Sequence, residues 1–230
     1  MPRLISLAVA AIFSLVTPLA AQSPVVVELF TSQGCSSCPP ADELMHELAK
    51  RDDVIALALH VDYWDYIGWK DEFADPANAE RQRAYAVAAG RRSIYTPQMI
   101  INGQADIVGA RPMELSRVIS DYAAKPTPVT LVVARSGDTV QIAAQTSAPN
   151  GPLVVQILRY TPERTARITR GENAGHTITY ANVTEDWKIL QEWDGVTDLD
   201  IEAEAAGDNP VVVMVQKGLD GPILAAARVQ

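Results

Sequence analysis

The sequence predicts an α/β domain followed by an all-β domain, and three observations support this. The only two cysteines of the 230-residue chain lie three positions apart, between an apolar run and a helical pattern. Strand and helix patterns alternate up to about residue 125, and from Val129 onward only short strand patterns follow. The composition, 48% hydrophobic and 20% charged, is that of a folded chain with buried cores. Its length suits one large or two ordinary domains.

The first 21 residues are typical of a signal peptide. Arg3 supplies a small positive region, and an apolar run follows at 4–16. Small residues end the segment at Ala20 and Ala21, after which we expect cleavage. The run is shorter than the roughly 20 residues that a membrane span needs, and no later stretch is long enough. We therefore expect an exported protein, periplasmic or secreted, without a stable membrane span, in a compartment that permits disulfides.

The charge balance excludes two classes of partner. Acidic residues outnumber basic ones by 28 to 19, so the formal net charge is −9. Such a chain is repelled by nucleic acid phosphates and by anionic membrane surfaces. We expect neither as a partner, and the sequence predicts no cofactor.

Seven elements are predicted before residue 125. Apolar runs at 25–30 and 54–61 indicate buried strands, and the helical pattern at 41–49 connects them as a βαβ unit. The other predicted elements are a helix at 75–90, a strand at 98–101, a turn at Asn102-Gly103, a strand at 105–108 and a helix from Arg111-Pro112. The resulting order, β-α-β-α-β-β-α, is the minimal thioredoxin topology, and it does not depend on the cysteines.

A linker at 126–128 separates this first domain, 22–125, from a β-rich domain at 129–230. Strand patterns alternate there with turn signals such as Asp194-Gly195. The predicted strands are 129–134, 139–146, 153–160, 176–183, 187–193, 199–203, 211–217 and 223–229. Short strands at this spacing favour a β-sandwich. The predicted fold class is therefore an α/β thioredoxin-like domain followed by an all-β sandwich-like domain.

Cys35 and Cys38 form a C-x-x-C pair at the start of the first predicted helix. Free amides and the positive end of the helix dipole favour a thiolate there, and thiolate is the nucleophile of thiol–disulfide exchange. We expect Cys35 to attack a substrate disulfide and Cys38 to resolve the mixed disulfide. A structural disulfide is an alternative, but its loop is too short to constrain the unfolded chain much. A structural zinc site would need a second pair of ligands.

Two further residues are candidates for the catalytic machinery. Pro97 stands just before the third strand, where thioredoxin-like folds carry a cis-proline opposite the cysteines. We expect this bond to be cis and Thr96 to contact a bound peptide, although most X-Pro bonds at strand entrances are trans. Glu28 interrupts the first apolar strand, seven residues before Cys35. It is expected either to move protons for the second cysteine or to pair with an arginine or a backbone amide.

Aromatic residues and a histidine follow from the second strand. Because the carboxyl ends of parallel strands share one edge of a sheet, we expect Trp64 and Trp69 to lie near the cysteines. They would form an apolar wall for a polypeptide substrate or cover the sheet edge. His60 ends the same strand, and with Cys35 and Cys38 it would make the ligand set of a copper carrier.

Several motifs carry a resemblance to a known family. They are the stretch 29–42 around both cysteines, H-V-D-Y-W-D at 60–65, Gly68-Trp69, T-P-Q-M at 96–99, Asn102-Gly103 and, more loosely, 171–173 and Asn182-Val183. The chain resembles secreted, thioredoxin-like bacterial proteins that are catalogued as a domain of unknown function. The resemblance implies the fold but no established activity. The dipeptide Ser36-Ser37 has neither the histidine of strong oxidants nor the proline of thioredoxin, so it predicts no direction of electron flow.

The sequence thus predicts an exported thiol–disulfide oxidoreductase that acts through Cys35 and Cys38. Its partners would be disulfide-containing proteins or peptides and an unidentified redox partner. Two alternatives stay open. One is a non-catalytic envelope binding or scaffold protein with a structural disulfide, and the other is the copper carrier with His60.

Overall fold

The computed structural model describes residues 23–148 and 151–230, and the signal peptide predicted at residues 1–21 lies outside them. Within the described residues the chain forms three α-helices and eleven β-strands. The helices are α1 (Pro39–Ala49), α2 (Pro76–Ala88) and α3 (Pro112–Ala123). The strands are β1 (Val25–Thr31), β2 (Val54–His60), β3 (Gln98–Ile101), β4 (Ala105–Val108), β5 (Val129–Ser136), β6 (Thr139–Thr146), β7 (Leu153–Arg167), β8 (Thr177–Trp193), β9 (Leu199–Glu204), β10 (Val211–Lys217) and β11 (Ile223–Val229). None of these helices is long and apolar enough to cross a membrane.

Local sequence signals explain where the three helices begin. Each has a proline in its first turn, where the amide that proline lacks would find no partner within the helix. The N-cap of α2 is Asp75, whose side chain accepts a hydrogen bond from the Ala77 amide. The elements from β1 to α3 follow one another in the predicted order.

The predicted fold class, an α/β thioredoxin-like domain followed by an all-β sandwich-like domain, is wrong. Of the described residues, 44% are in strands and 19% in helices, and the largest sheet takes strands from both halves of the chain. This mixed sheet has eight strands in the order β11-β10-β7-β8-β2-β1-β3-β4, and a second sheet has the order β5-β6-β9. A sandwich confined to the second half would require its strands to pair only with one another, whereas β8 pairs with β2.

Strand β8 joins the two halves of the large sheet. It runs parallel to β2, and Val183 lies opposite Ala58 in their short ladder. The side chains of Asn182 and Thr184 extend the contact by donating hydrogen bonds to the carbonyl oxygens of Ala56 (2.9 Å) and Ala58 (3.1 Å). The residues joined by these two hydrogen bonds are 126 positions apart, a separation at which hydrophobic periodicity says nothing about pairing. The error in the fold class therefore lies in the pairing of strands.

The hairpin of β7 and β8 is longer than predicted. Strands were expected at 153–160, 176–183 and 187–193, whereas β7 has 15 residues and β8 is a single strand of 17. The two strands pair antiparallel along their length, with register shifts near Val155 and Ile157. Such bulges bend and twist a ribbon. The far end of this hairpin reaches the first half of the chain.

Alternate residues of the large sheet face two different cores. One face packs against α2 through residues of both halves, among them Phe30, Leu57 and Met214. The other face packs against α1 and α3 through Val27 and Leu29, and in the second half against β5, β6 and β9. The position of a residue within β1 therefore decides which helix its side chain meets.

Glu28 lies on the α2 face of β1. Its two carboxylate oxygens accept hydrogen bonds from Arg81 Nε at 2.6 Å and from Tyr85 Oη at 2.7 Å. The arginine also donates to Tyr85 at 2.7 Å and to Gln216 at 3.1 Å, and it lies 4.4 Å from the Trp187 ring. The Glu28 side chain is fully buried and that of Arg81 is 10% exposed. This network ties α2 to β8 and β10 of the second half.

We expect Arg81→Met to lower the free energy of unfolding by about 3–5 kcal/mol, because it leaves a buried carboxylate without its cation. Arg117→Met is the matched control, since Arg117 pairs with Asp121 at an exposed position of α3, where a pair contributes at most about 1 kcal/mol. Urea denaturation of both variants measures the difference. Equal losses in the two variants would contradict the proposed importance of the Glu28–Arg81 pair.

Candidate functional site

The two cysteines form a disulfide at the start of α1. The Cα atoms of Cys35 and Cys38 are 5.4 Å apart. Cys38 is the N-cap of α1, and its carbonyl oxygen accepts two backbone hydrogen bonds of the first turn, at 2.8 and 3.1 Å. Both cysteines are buried, with exposures of 1% and 0%, whereas Ser36 and Ser37 between them are exposed. The disulfide therefore lies just beneath the surface, at the positive end of a helix dipole.

Two tryptophans that follow β2 contact the segment between β1 and α1, residues 32–38, which is named the cysteine loop. A β-carbon at Gly34 would lie 3.1 Å from that of Trp64, so the loop passes closely over this residue. Trp64 Nε1 donates a hydrogen bond of 2.7 Å to Thr96 Oγ1, and Trp69 Nε1 donates one of 2.7 Å to Gln33 Oε1. Both tryptophans are half-buried. Their indole rings are therefore fixed beside the disulfide.

Pro97 precedes β3 at the same end of the sheet. The peptide bond between Thr96 and Pro97 is cis, which confirms the expectation from the sequence. The next residue, Gln98, lies opposite Phe30 in the β1–β3 ladder, one residue before β1 ends. Pro97 thus lies where β1 leads into the cysteine loop.

The loop that joins β7 to β8, residues 168–176, lies against the cysteine loop and is named the tip loop. Asn173 is buried, and its Nδ2 atom donates to two carbonyl oxygens of the cysteine loop, including that of Cys35 at 3.0 Å. The adjacent Glu172 is exposed and accepts a hydrogen bond of 2.6 Å from Ser36 Oγ. Asn173 lies 138 positions after Cys35. The contact between the two loops therefore exists only because both halves share one sheet.

Five polar side chains, named the buried polar cluster, lie beneath the start of α1. Thr31 and His60 end the adjacent strands β1 and β2 and are opposite each other. Thr31 Oγ1 donates to Asp42 Oδ1 at 2.7 Å, and His60 Nδ1 is 2.7 Å from Asp71 Oδ2. Tyr180 of β8 completes the cluster, with its ring centroid 4.6 Å from that of His60. All five side chains are buried.

Three atoms of the buried polar cluster have no hydrogen-bond partner in the protein. They are Oδ2 of Asp42, Nε2 of His60 and Oη of Tyr180. Leaving a buried polar atom unpaired costs about 1–3 kcal/mol. The cluster therefore differs from the Glu28–Arg81 network, in which each charged group is paired.

The two carboxyl groups of the cluster titrate differently. Burial raises the pKa of Asp42 to about 7, although the hydrogen bond from Thr31 and the proximity of His60 oppose this rise. Burial also acts to raise the pKa of Asp71, but hydrogen bonds from His60 and from two backbone amides outweigh it and hold this pKa below its ordinary value. Asp71 is thus an ionised acceptor, and its Oδ2 atom lies within hydrogen-bond distance of His60 Nδ1. The Asp42 carboxyl changes its protonation near neutral pH.

Two candidate residues have partners other than the cysteines: Glu28 pairs with an arginine, the second of the two roles predicted for it, and His60, the predicted copper ligand, pairs with Asp71. Glu28 and Thr31 face opposite sides of β1, so Glu28 lies away from α1 and forms the ion pair with Arg81. His60 is fully buried and bonded to Asp71. Among the described residues, no group of three His, Cys, Asp or Glu side chains could hold a metal ion. The copper alternative therefore receives no support from this part of the chain.

A family model described as "Protein of unknown function (DUF1223)" matches residues 26–216. The chain belongs to this family. The resemblance to a family catalogued as a domain of unknown function is thereby confirmed, and the DUF1223 match spans the cysteine loop, the buried polar cluster and the tip loop. No curated protein matches the chain.

Two solved structures resemble this DUF1223 protein. A crystal structure of a protein from Agrobacterium tumefaciens, determined by a structural genomics consortium, is 32% identical with a TM-score of 0.75, and the match covers 89% of this chain and 93% of that one. HBP35 of Porphyromonas gingivalis is 15% identical with a TM-score of 0.61, over 90% of this chain and 75% of that one. The second likeness shows a shared fold alone.

Three residues of the site were not predicted from the sequence. Asp42 and Asn173 stand in stretches that carry the family resemblance, but no local pattern assigned them a role. The available signal for Asp42 was its position on the side of α1 that faces the sheet, between the buried Ala41 and Met45. Asp71 gave no such signal, because it lies in a polar loop and its burial depends on tertiary packing against His60.

We expect Asp42→Asn to stabilise the protein above about pH 7 and to have little effect near pH 4. Near pH 4 the Asp42 carboxyl is protonated in the folded protein, so folding buries no charge. Above pH 7 it is ionised in both states, and folding buries a charge that the unfolded chain exposes to water. Stability is therefore lost as the pH rises from about 4 to about 7, by up to about 4 kcal/mol.

Urea denaturation at the two ends of this range measures the effect. Glu43→Gln, on the exposed side of α1, is the control and should show no such dependence. A stability difference between Asp42→Asn and wild type that stays constant with pH would contradict the prediction.

We expect Asn173→Ala to make dithiothreitol reduce the Cys35–Cys38 disulfide about tenfold faster, because it removes both buried hydrogen bonds to the cysteine loop, worth roughly 1.4 kcal/mol together. Glu172→Ala is the control, since it removes only the exposed contact with Ser36 and should change the rate by less than about threefold. Alkylation of the freed thiols and mass spectrometry measure the rate. A wild-type rate in Asn173→Ala would mean that the tip loop does not limit access.

Proposed function

We propose that this protein is an exported thiol–disulfide oxidoreductase that acts on protein or peptide disulfides through Cys35 and Cys38. One observation carries the proposal: the disulfide stands at the first turn of α1, with two exposed serines between its cysteines. The amides and dipole at a helix N-terminus stabilise a thiolate, and thiolate is the nucleophile of disulfide exchange. The proposal includes an unidentified redox partner that resets the cysteine pair.

Cys35 is the proposed nucleophile and Cys38 the proposed resolving cysteine. Reduced Cys35 attacks one sulfur of a substrate disulfide, forms a mixed disulfide and releases the other substrate sulfur as a thiolate. Cys38 then attacks Cys35 Sγ, restores the disulfide of the protein and releases the second substrate sulfur. Two electrons pass from the protein to the substrate, and the reverse sequence oxidises a substrate dithiol.

A polypeptide substrate is proposed to lie against Thr96, Trp64 and Trp69. The indole N–H groups of both tryptophans already have partners, both side chains are partly exposed, and Tyr66 stacks on the Trp64 ring, so the three form an aromatic surface beside the cysteine loop. The tip loop contacts the backbone of Cys35, and a substrate must displace the Asn173 side chain or approach from the exposed side of Ser36. Access to the disulfide is therefore part of the proposed mechanism.

A non-catalytic role is the second candidate, and the burial of both cysteines beside the tip loop favours it. The protein would then be an envelope binding or scaffold protein in which the disulfide fastens the cysteine loop. The two candidates differ in reduction potential, since structural disulfides lie below about −300 mV.

Trapping with Cys38→Ala tests the proposal. The variant is reduced and then incubated with a disulfide-bonded peptide, and we expect a mixed disulfide through Cys35 that appears as a mass increase. The double variant Cys35→Ala, Cys38→Ala is the control and should give no adduct. Absence of an adduct, together with a wild-type potential below about −300 mV, would overturn the oxidoreductase proposal in favour of the scaffold.

A further inference from the structure

The buried polar cluster lies one helical turn from the resolving cysteine. The Asp42 amide donates to the Cys38 carbonyl oxygen at 3.1 Å, so the two residues are adjacent along the axis of α1. Both are buried between α1 and the sheet. The hydrogen bond to Thr31 holds one carboxyl oxygen of Asp42 against the end of β1, and the other oxygen is unpartnered.

We propose that Asp42 accepts and returns the proton of the Cys38 thiol during the redox cycle, and that His60 and Asp71 extend this path away from the disulfide. The inference rests on the proposed function and deepens it. The unpartnered Oδ2 of Asp42 and Nε2 of His60 are the atoms that would carry the proton. Asp71 holds the other side of the His60 ring and, at 2.8 Å, the Gln33 amide of the cysteine loop.

The proposed step balances in protons and electrons. Before this step a dithiol has reduced both cysteines, and Cys35 has then formed the mixed disulfide with the substrate. The proton of the Cys38 thiol passes to the Asp42 carboxylate, and the Cys38 thiolate forms the bond to Cys35 Sγ. The bond between Cys35 and the substrate breaks, and the substrate thiolate leaves with the electron pair and takes a proton from solvent. In the reverse direction protonated Asp42 gives its proton to Cys38.

Electrostatics around Asp42 suit this exchange. His46 faces it from α1, Asp71 from the loop after β2 and Tyr180 from β8, together with His60 from β2. Burial brings the pKa of Asp42 to about 7, while His60 and His46 act to lower it and Asp71 acts to raise it. An acid–base group is most effective when its pKa lies near the working pH.

Glu28 cannot fill this role. It projects from the opposite face of β1, and both of its oxygens accept hydrogen bonds from the α2 side chains Arg81 and Tyr85. Thr31 points to the α1 face of β1, where its hydroxyl bonds to Asp42. On this face a carboxyl group could exchange a proton with Cys38. The acid of this site therefore comes from the helix after the cysteines.

The pH dependence of the resolving step tests the inference. Reduced full-length protein is mixed with a disulfide-bonded peptide, and the two steps, Cys35 attack and Cys38 resolution, are followed by acid quenching and alkylation. In wild type we expect the resolution rate to rise with an inflection near pH 7. In Asp42→Asn we expect that inflection to vanish and resolution above it to slow by about tenfold or more, while the rate of Cys35 attack changes by less than about threefold.

Thr31→Val is the matched variant, because it keeps the carboxyl and removes the hydrogen bond that lowers the pKa of Asp42. We expect it to keep the inflection and move it to higher pH. A purely structural role for Asp42 would not abolish the inflection in one variant and shift it in the other. Wild-type inflections in both variants would overturn the inference and leave the oxidoreductase proposal standing, whereas absence of exchange in wild type would defeat both.

A second measurement needs no substrate. In the Cys35→Ala variant the Cys38 thiolate is titrated by its ultraviolet absorbance, with and without Asp42→Asn. Because a neighbouring carboxylate disfavours the thiolate, we expect the asparagine to move the titration of Cys38 to lower pH. Identical titration curves would show that Cys38 and Asp42 do not interact electrostatically. That result would overturn the inference, and it does not depend on any substrate.

Discussion

Parallel pairing of β8 with β2 is the constraint on which the rest of the structure depends. The ladder is short, yet the side chains of Asn182 and Thr184 lengthen it with hydrogen bonds to β2 carbonyl oxygens. Each such bond contributes about 1 kcal/mol, and a buried carbonyl left unpaired would cost more. The pairing makes one sheet of two halves. It also brings Tyr180 beside His60 and the tip loop against Cys35.

Side chains alternate between the two faces of β1, and two buried carboxyl groups with different surroundings lie on opposite sides of this strand. Glu28 faces α2 and is matched by Arg81 and Tyr85, so its charge is compensated and ties secondary structure together. Asp42 meets β1 from the other side, through Thr31, and keeps an unpaired oxygen. Desolvation without full compensation brings the pKa of Asp42 into the neutral range. The fully paired network around Glu28 thus stabilises the fold, whereas Asp42, with its unpaired oxygen, is the group proposed to exchange a proton.

Local elements could be predicted from this sequence, but their pairing could not. Apolar runs and proline positions located the helices and strands up to α3, and the place of Pro97 in that order predicted its cis bond. The contact of β2 with β8 depends on residues 126 positions apart, which no periodicity encodes. The same limit applied to the site: C-x-x-C was visible at once, whereas Asp42, Asp71 and Asn173 acquire their surroundings only through tertiary packing.

The second half of the chain is therefore part of the site. Its tip loop supplies the Asn173 amide that holds the cysteine loop closed, and β8 supplies the aromatic wall of the buried polar cluster. The tip loop contacts the backbone of Cys35, and Tyr180 of β8 packs on His60 in the same buried cluster as the Asp42 carboxyl. The β7–β8 hairpin thus contributes both to the surroundings of the disulfide and to those of the Asp42 carboxyl. On the proposed function, displacement of the tip loop would expose the sulfur atoms, and continued pairing of β8 with β2 would keep Asp42 buried, with its pKa near 7, where it can exchange a proton.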